Sequence, residues 1–210
     1  MNQDNRLNII LSTLEKLYPH PKIALNYSNT FELLVGVILS AQCTDKKVNE
    51  VTEKLFKKYK TVDDYAKADF EEFCKDIHST GFYRNKAKNV IGAAQKVRME
   101  FKGKVPRTMK ELLTLPGVAR KTANVVLGEA YGVYDGIAVD THMKRLCKKF
   151  GLTGNIDPVK IEQDLMGLIH RDKWPLFAIR LIQYGRDYSP ASKVNSNEDP
   201  VSQALIKYGR

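Results

Sequence analysis

"LTLPGVARKTANVV", residues 113–126, joins two apolar runs through a Pro-Gly pair. The second run is built of small and β-branched residues, so two short helices meet at a tight turn, a helix–hairpin–helix. Gly117 permits close backbone approach there. The amides of Gly117, Val118, Ala119 and Arg120 then lie at the start of the second helix. Unpaired amides and the positive end of a helix dipole favour an anion, and this arrangement suits one DNA backbone phosphate. By the same rule Lys121 is out of place, because a helix start prefers a carboxylate. Two roles are open to it. It is a second phosphate contact, or a nucleophile whose amine attacks C1′ of a deoxyribose, displaces the base and leaves a Schiff base. A free lysine has a pKa of about 10.4, so the second role needs desolvation, the Arg120 cation or the helix terminus to lower it.

The flanking sequence is helical in its periodicity. Leu7, Ile10, Leu11, Leu14 and Leu17 mark a first helix ending near Pro19, and Thr30 is placed to cap the nearly all-apolar "FELLVGVILS". Val48, Val51, Leu55, Phe56 and Tyr59 form the next stripe, in a helix started by Thr44-Asp45, to which no catalytic role is given. Phe70, Phe73, Cys74 and Ile77 predict a short helix. After Gly81 come Ala87, Val90, Ile91, Ala94, Val97 and Phe101. Asp140, Asp157-Pro158 and Asp199-Pro200 read as helix starts, the last opening a terminal helix through Val201, Ala204, Leu205 and Tyr208. Strand-like alternation and internal repeats are absent, and residues 189–200 form the loop-like tract. The fold class is all-α.

With 210 residues and 43% hydrophobic content, one or two compact domains are expected. No apolar run approaches the ~20 residues of a membrane span, and the polar N-terminus does not read as a signal peptide. A cytoplasmic protein without membrane contact follows. Thirty-four Lys and Arg against 24 Asp and Glu leave a net charge of +10, which suits a polyanion such as nucleic acid. Solvated basic helix faces are the plainer reading of the same balance. Cys43, Cys74 and Cys147 are scattered, without metal-ligand spacing, and read as buried structural thiols.

"GIAVDTHMKRLCKKFG", residues 136–151, sets Asp140 19 residues after Lys121. Asp140 is an N-cap, and a carboxylate near a lysine and a sugar also assists proton transfer and stabilises oxocarbenium-like charge. At this point "LPGVARKTANVVL", "IAVDTHMKRL", "LLVGVILSAQCTDKKVNEV" and "GFYRNKAKNV" together resemble the endonuclease III branch of the helix–hairpin–helix DNA glycosylase superfamily, from about Leu7 to Arg186.

That resemblance implies a two-lobed α-helical enzyme with its active site in the cleft between the lobes. Residues 23–132 would form one lobe, and residues 1–22 with 133–210 the other. It implies that Lys121 is the Schiff-base lysine and Asp140 the catalytic aspartate of a bifunctional DNA N-glycosylase and AP lyase. Oxidised pyrimidines in duplex DNA would be the substrates. Gln42 would fill the gap left by the flipped nucleotide, and Phe82 would wedge between bases of the opposite strand. Carbonyls of Leu113, Leu115 and Val118 would hold a monovalent cation. The alternatives are a mismatch- or alkylated-base glycosylase and a non-catalytic helix–hairpin–helix DNA-binding protein. A monomer, associated with the nucleoid through DNA, is expected.

Three features depart from the family pattern. Ala119 replaces a second hairpin glycine, and Tyr184 stands where a histidine is frequent. Ser189 stands where the first of four [4Fe–4S] cysteines is expected, and no cysteine follows it. No cluster is expected, since its iron needs thiolates. Val201, Leu205 and Tyr208 are expected to cover that part of the lobe instead.

Overall fold

The computed structural model describes residues 1–190, 192 and 196–208, so part of the loop-like tract (191 and 193–195) lies outside the described residues. Regular structure among these residues is entirely helical. In chain order the α-helices are α1 (Gln3–Leu17), α2 (Thr30–Leu39), α3 (Asp45–Lys58), α4 (Val62–Ala66), α5 (Phe70–Asp76) and α6 (Tyr83–Glu100). They continue as α7 (Met109–Leu112), α8 (Arg120–Tyr131), α9 (Thr141–Lys149), α10 (Pro158–Leu168), α11 (Trp174–Asp187) and α12 (Pro200–Tyr208). No helix among the described residues is long and apolar enough to cross a membrane.

Short polar side chains start most of these helices by accepting a first-turn amide, as Thr44, Asp69, Thr108, Asp140 and Asp157 do. Asn29 caps α2, not Thr30: its Oδ1 accepts from the Glu32 amide at 3.0 Å, leaving Thr30 as the first helical residue. Helix α4 was not expected from periodicity. Its capping box of Thr61 and Asp64 sets it up, and Tyr65 anchors it among Phe31, Tyr59 and Phe73.

The chain forms two compact units, Ala24–Asp135 and Met1–Ile23 with Gly136–Arg210. In the first, α2 is the central helix. Every residue from Phe31 to Leu39 is buried, and α3, α6 and α8 pack around it. A helix apolar on all sides belongs at such a centre. In the second unit, α11 packs on α1 and α9, and α12 on α1, about Ile10, Leu14, Leu146, Phe150, Phe177 and Leu181. Arg180 Nε donates to the Tyr18 carbonyl at 2.9 Å, and Tyr18 donates to Asp187 at 2.8 Å, tying the N-terminal segment to α11.

Two packing expectations change. Val201 is buried, but Leu205 is only half-buried and Tyr208 is exposed. The inward face of α12 starts at Val201 and Ser202, where Asp199 holds Ser202, and apolar contact fades towards the helix end. Cys74 and Cys147 are buried thiols, while Cys43 is half-buried because it lies in the open turn after α2.

Candidate nucleic-acid interface and active site

The hairpin is pinned by apolar side chains of its own turn: Leu112, Leu115 and Val118 are buried. The Val118 amide donates to the Leu115 carbonyl at 3.2 Å, so it closes the turn. That bond draws the Val118 amide towards the hairpin turn. Gly117 has φ +75°, and a Cβ there would lie 2.7 Å from Asn89 Cβ of α6, so both conformation and space demand glycine. Ala119 precedes α8 with φ −92°, ordinary for an L-residue, and the missing second glycine brings no strain. No side chain caps α8. Its positive end therefore meets an incoming anion without a competing carboxylate or hydroxyl on the cap.

Lys121 is the second residue of this helix and is half-buried, backed by buried Thr122 and Ala123. Helix α6 gathers the other candidate groups of the same unit. Gly92 accepts Pro116 of the hairpin and Asn89 abuts Gly117. Lys86 is buried, and its Nζ donates to the Thr80 carbonyl at 2.7 Å, bracing the turn that leads to Phe82. Burial pushes the Lys86 pKa down, with Cys43 acting in the opposite direction.

Gln42 and Phe82 share an uncommon backbone. Gln42 has φ 52° and Phe82 φ 47°, the left-handed region; Lys102 is the other non-glycine with positive φ among the described residues. Such conformations cost roughly 1–3 kcal/mol and persist where the surroundings impose them, often at functional sites. Gln42 is exposed, and Phe82 is 68% exposed. The Phe82 ring does not stack on its neighbour, for Tyr83 lies against His78 at 4.4 Å between ring centroids. A large ring is held outward at the N-cap of α6, at a conformational cost, where packing gives it no reason to be.

Asp140 belongs to the other unit. It caps α9, its Oδ1 accepting from the Met143 amide at 2.8 Å, and this bond fixes the direction of its half-buried carboxylate.

Residues 35–171 match the model of the HhH-GPD superfamily of base excision DNA repair proteins. The chain is 52% identical over 192 residues to endonuclease III of Synechocystis sp., covering 91% of this chain and 88% of that protein. The chain belongs to the HhH-GPD superfamily, on its endonuclease III branch. Two solved structures extend the match. A non-covalent endonuclease III–DNA complex superposes with TM-score 0.91 at 38% identity over 100% of both chains. A trapped endonuclease III–DNA covalent intermediate gives TM-score 0.87 at 41% identity, over 91% of this chain and 90% of that one. This HhH-GPD protein is a DNA glycosylase of base excision repair.

A polar cluster in the second unit of this HhH-GPD chain escaped the sequence reading. Lys149 Nζ donates to Asp199 Oδ2 at 2.7 Å, to the Ser196 carbonyl at 2.6 Å and to Ser189 Oγ at 3.3 Å. Tyr184 donates to Asp199 Oδ1 while accepting from the Val201 amide at 2.9 Å. Ser202 donates to Asp199 through its amide, at 3.1 Å, and its hydroxyl, at 2.8 Å. Burial raises the Asp199 pKa, but Lys149, Tyr184 and Ser202 together outweigh it and hold the carboxyl below its ordinary value. The second Asp-Pro helix start, at 199–200, is the visible signal; its partner 50 residues away is not.

Proposed function

We propose that this chain is a bifunctional DNA N-glycosylase and AP lyase that removes oxidised pyrimidines from damaged duplex DNA. The hairpin segment of Gly117, Val118, Ala119 and Arg120 takes a backbone phosphate. Gln42 enters the gap left by the flipped nucleotide, and Phe82 wedges between bases of the opposite strand. Lys121 Nζ attacks C1′ in its neutral form, forming the C–N bond as the glycosidic bond breaks and the base departs with its electron pair. Asp140 stabilises the cationic sugar and relays the proton. Opening of the sugar ring gives the Schiff base. Loss of a C2′ proton then expels the 3′-phosphate, and water releases the lysine.

The observation that carries this reading is Lys121 on the first turn of an uncapped helix, directly behind the hairpin of an HhH-GPD chain. Excision of thymine glycol from a duplex, followed by nicking 3′ to the lesion, is the expected result. A panel in which only a mismatched or alkylated base is removed would contradict the substrate class, and DNA binding without excision would contradict the enzyme. The protein works as a monomer in the cytoplasm, at the nucleoid.

The carbonyls of Leu113, Leu115 and Val118 supply the all-oxygen donor set that a monovalent cation takes, and such an ion would stiffen the hairpin. A [4Fe–4S] cluster does not fit this chain. Ser189, at the position of the first ligand, is a buried hydroxyl bonded by Arg145 and Lys149, two cations where thiolates would be needed. Cys147 sits inside α9 with its thiol pushed up to about 12 by burial, and Cys43 and Cys74 belong to the other unit. Protein purified without oxygen is expected to contain no stoichiometric iron or acid-labile sulfide; finding both would contradict the assignment.

A further inference from the structure

We infer that Lys149 and Asp199 form an all-protein clasp that holds α9 and thereby positions Asp140, in the part of the fold where the family resemblance places a metal cluster. The inference rests on the proposed catalytic role of Asp140.

Two of the three departures from the family pattern, Tyr184 and Ser189, meet in one place. Ser189 bonds Lys149 and Arg145, and Tyr184 bonds Asp199, so both substituted positions belong to one network. The Lys149 and Asp199 side chains are 9% and 3% exposed. The ammonium spends its three donors on Asp199, Ser196 and Ser189, and the carboxylate fills its four acceptor sites with Lys149, Tyr184 and the two Ser202 groups. A buried ion pair persists when its geometry is good and its remaining lone pairs and protons are bonded. This one meets both conditions.

The clasp reaches Asp140 through one face of α9. One turn before Lys149, Arg145 donates to the Ser189 carbonyl and, at 3.4 Å, to Ser189 Oγ. A turn earlier, His142 lies against α11 where a Cβ on Gly185 would come within 2.6 Å of its Nδ1. Residues 142, 145 and 149 follow helical i, i+3, i+7 spacing, so a single stripe of α9 rests on α11 and the C-terminal segment. Fixing that stripe fixes the rotation of the helix about its axis. Asp140 is locked to the first turn by the Met143 amide, and its carboxylate turns with the helix. Lys149 and Asp199 are thus positioning residues that touch no substrate.

The test compares wild type with Lys149→Met, Lys149→Arg, Asp140→Asn and the double variant Lys149→Met/Asp199→Leu. Three quantities are read well below each thermal midpoint: single-turnover excision with enzyme in excess, Kd for duplex carrying a stable abasic analogue, and the midpoint itself. Lys149→Met is expected to slow excision about tenfold to a hundredfold, the scale of a small misplacement at a reacting centre, with Kd nearly unchanged. Lys149→Arg keeps the charge and restores most of the rate. The double variant removes the carboxylate that Lys149→Met leaves buried and unpaired, and its midpoint returns part of the way, because Tyr184 and Ser202 lose their acceptor. It leaves the rate low, because Met and Leu make no bond to Ser189 or Ser196.

A folded Lys149→Met at the wild-type rate would overturn the positioning role. So would a double variant in which stability and rate return together, the mark of a purely structural pair; this variant also serves if the single one does not fold. Asp140→Asn at full rate would instead remove the catalytic reading on which the inference rests, and the positioning with it.

Discussion

Lys121→Ala is expected to bind duplex DNA and leave it intact, with base release and nicking both falling to the level of DNA alone. The loss covers both steps because the proposed mechanism gives both to one amine, which displaces the base and then carries the Schiff base from which β-elimination proceeds. A nucleophile differs here from a phosphate contact. Removing one cation that merely touches the backbone weakens binding and its salt dependence by about one contact, and leaves the chemistry working once DNA is saturating. Lys121 is half-buried on α8, backed by Thr122 and Ala123, and the hairpin keeps its own anchors in Leu112, Leu115 and Val118. Truncation therefore leaves the interface standing. Nicking of thymine glycol duplex at saturating enzyme checks the result; a rate near wild type would assign Lys121 to binding alone.

Asp140→Asn has the second-largest expected effect, a fall of about 10²–10⁴ in single-turnover excision, the range general acid–base catalysis contributes. Asparagine keeps the side-chain oxygen that accepts from the Met143 amide at 2.8 Å, and it is as good an N-cap as aspartate. Helix α9 and the thermal midpoint are expected to hold. What disappears is the negative charge to which the proposed mechanism assigns stabilisation of the sugar cation and receipt of its proton. A variant that is destabilised yet excises at the normal rate would reduce Asp140 to its capping role.

The helical plan was legible in the sequence wherever a local rule acts alone. Pro116-Gly117 marks a turn because Gly117 must adopt φ +75° against Asn89, and Asp140 marks a helix start because its carboxylate meets a free amide. The family resemblance suggested the roles now proposed for Lys121 and Gln42, which spacing alone left open. Helix α4 was missed because five residues give no period, although Thr61 and Asp64 carried a capping-box signal. Nothing in the composition around Val118 shows that its amide is used within the turn. The left-handed conformations at Gln42 and Phe82 were equally hidden, since neither residue favours φ above zero. Least legible was the clasp. Asp199 reads as a helix start, and nothing local pairs it with a lysine 50 residues away until packing buries them together.

Borohydride reduction of the complex with duplex carrying an abasic site, followed by proteolysis and mass mapping of the cross-linked peptide, locates the covalent bond itself. The adduct is predicted on Lys121 and nowhere else. Attachment to another amine, or no adduct from protein that binds the duplex and excises its substrate, would contradict the Schiff-base chemistry assigned to the lysine behind the hairpin.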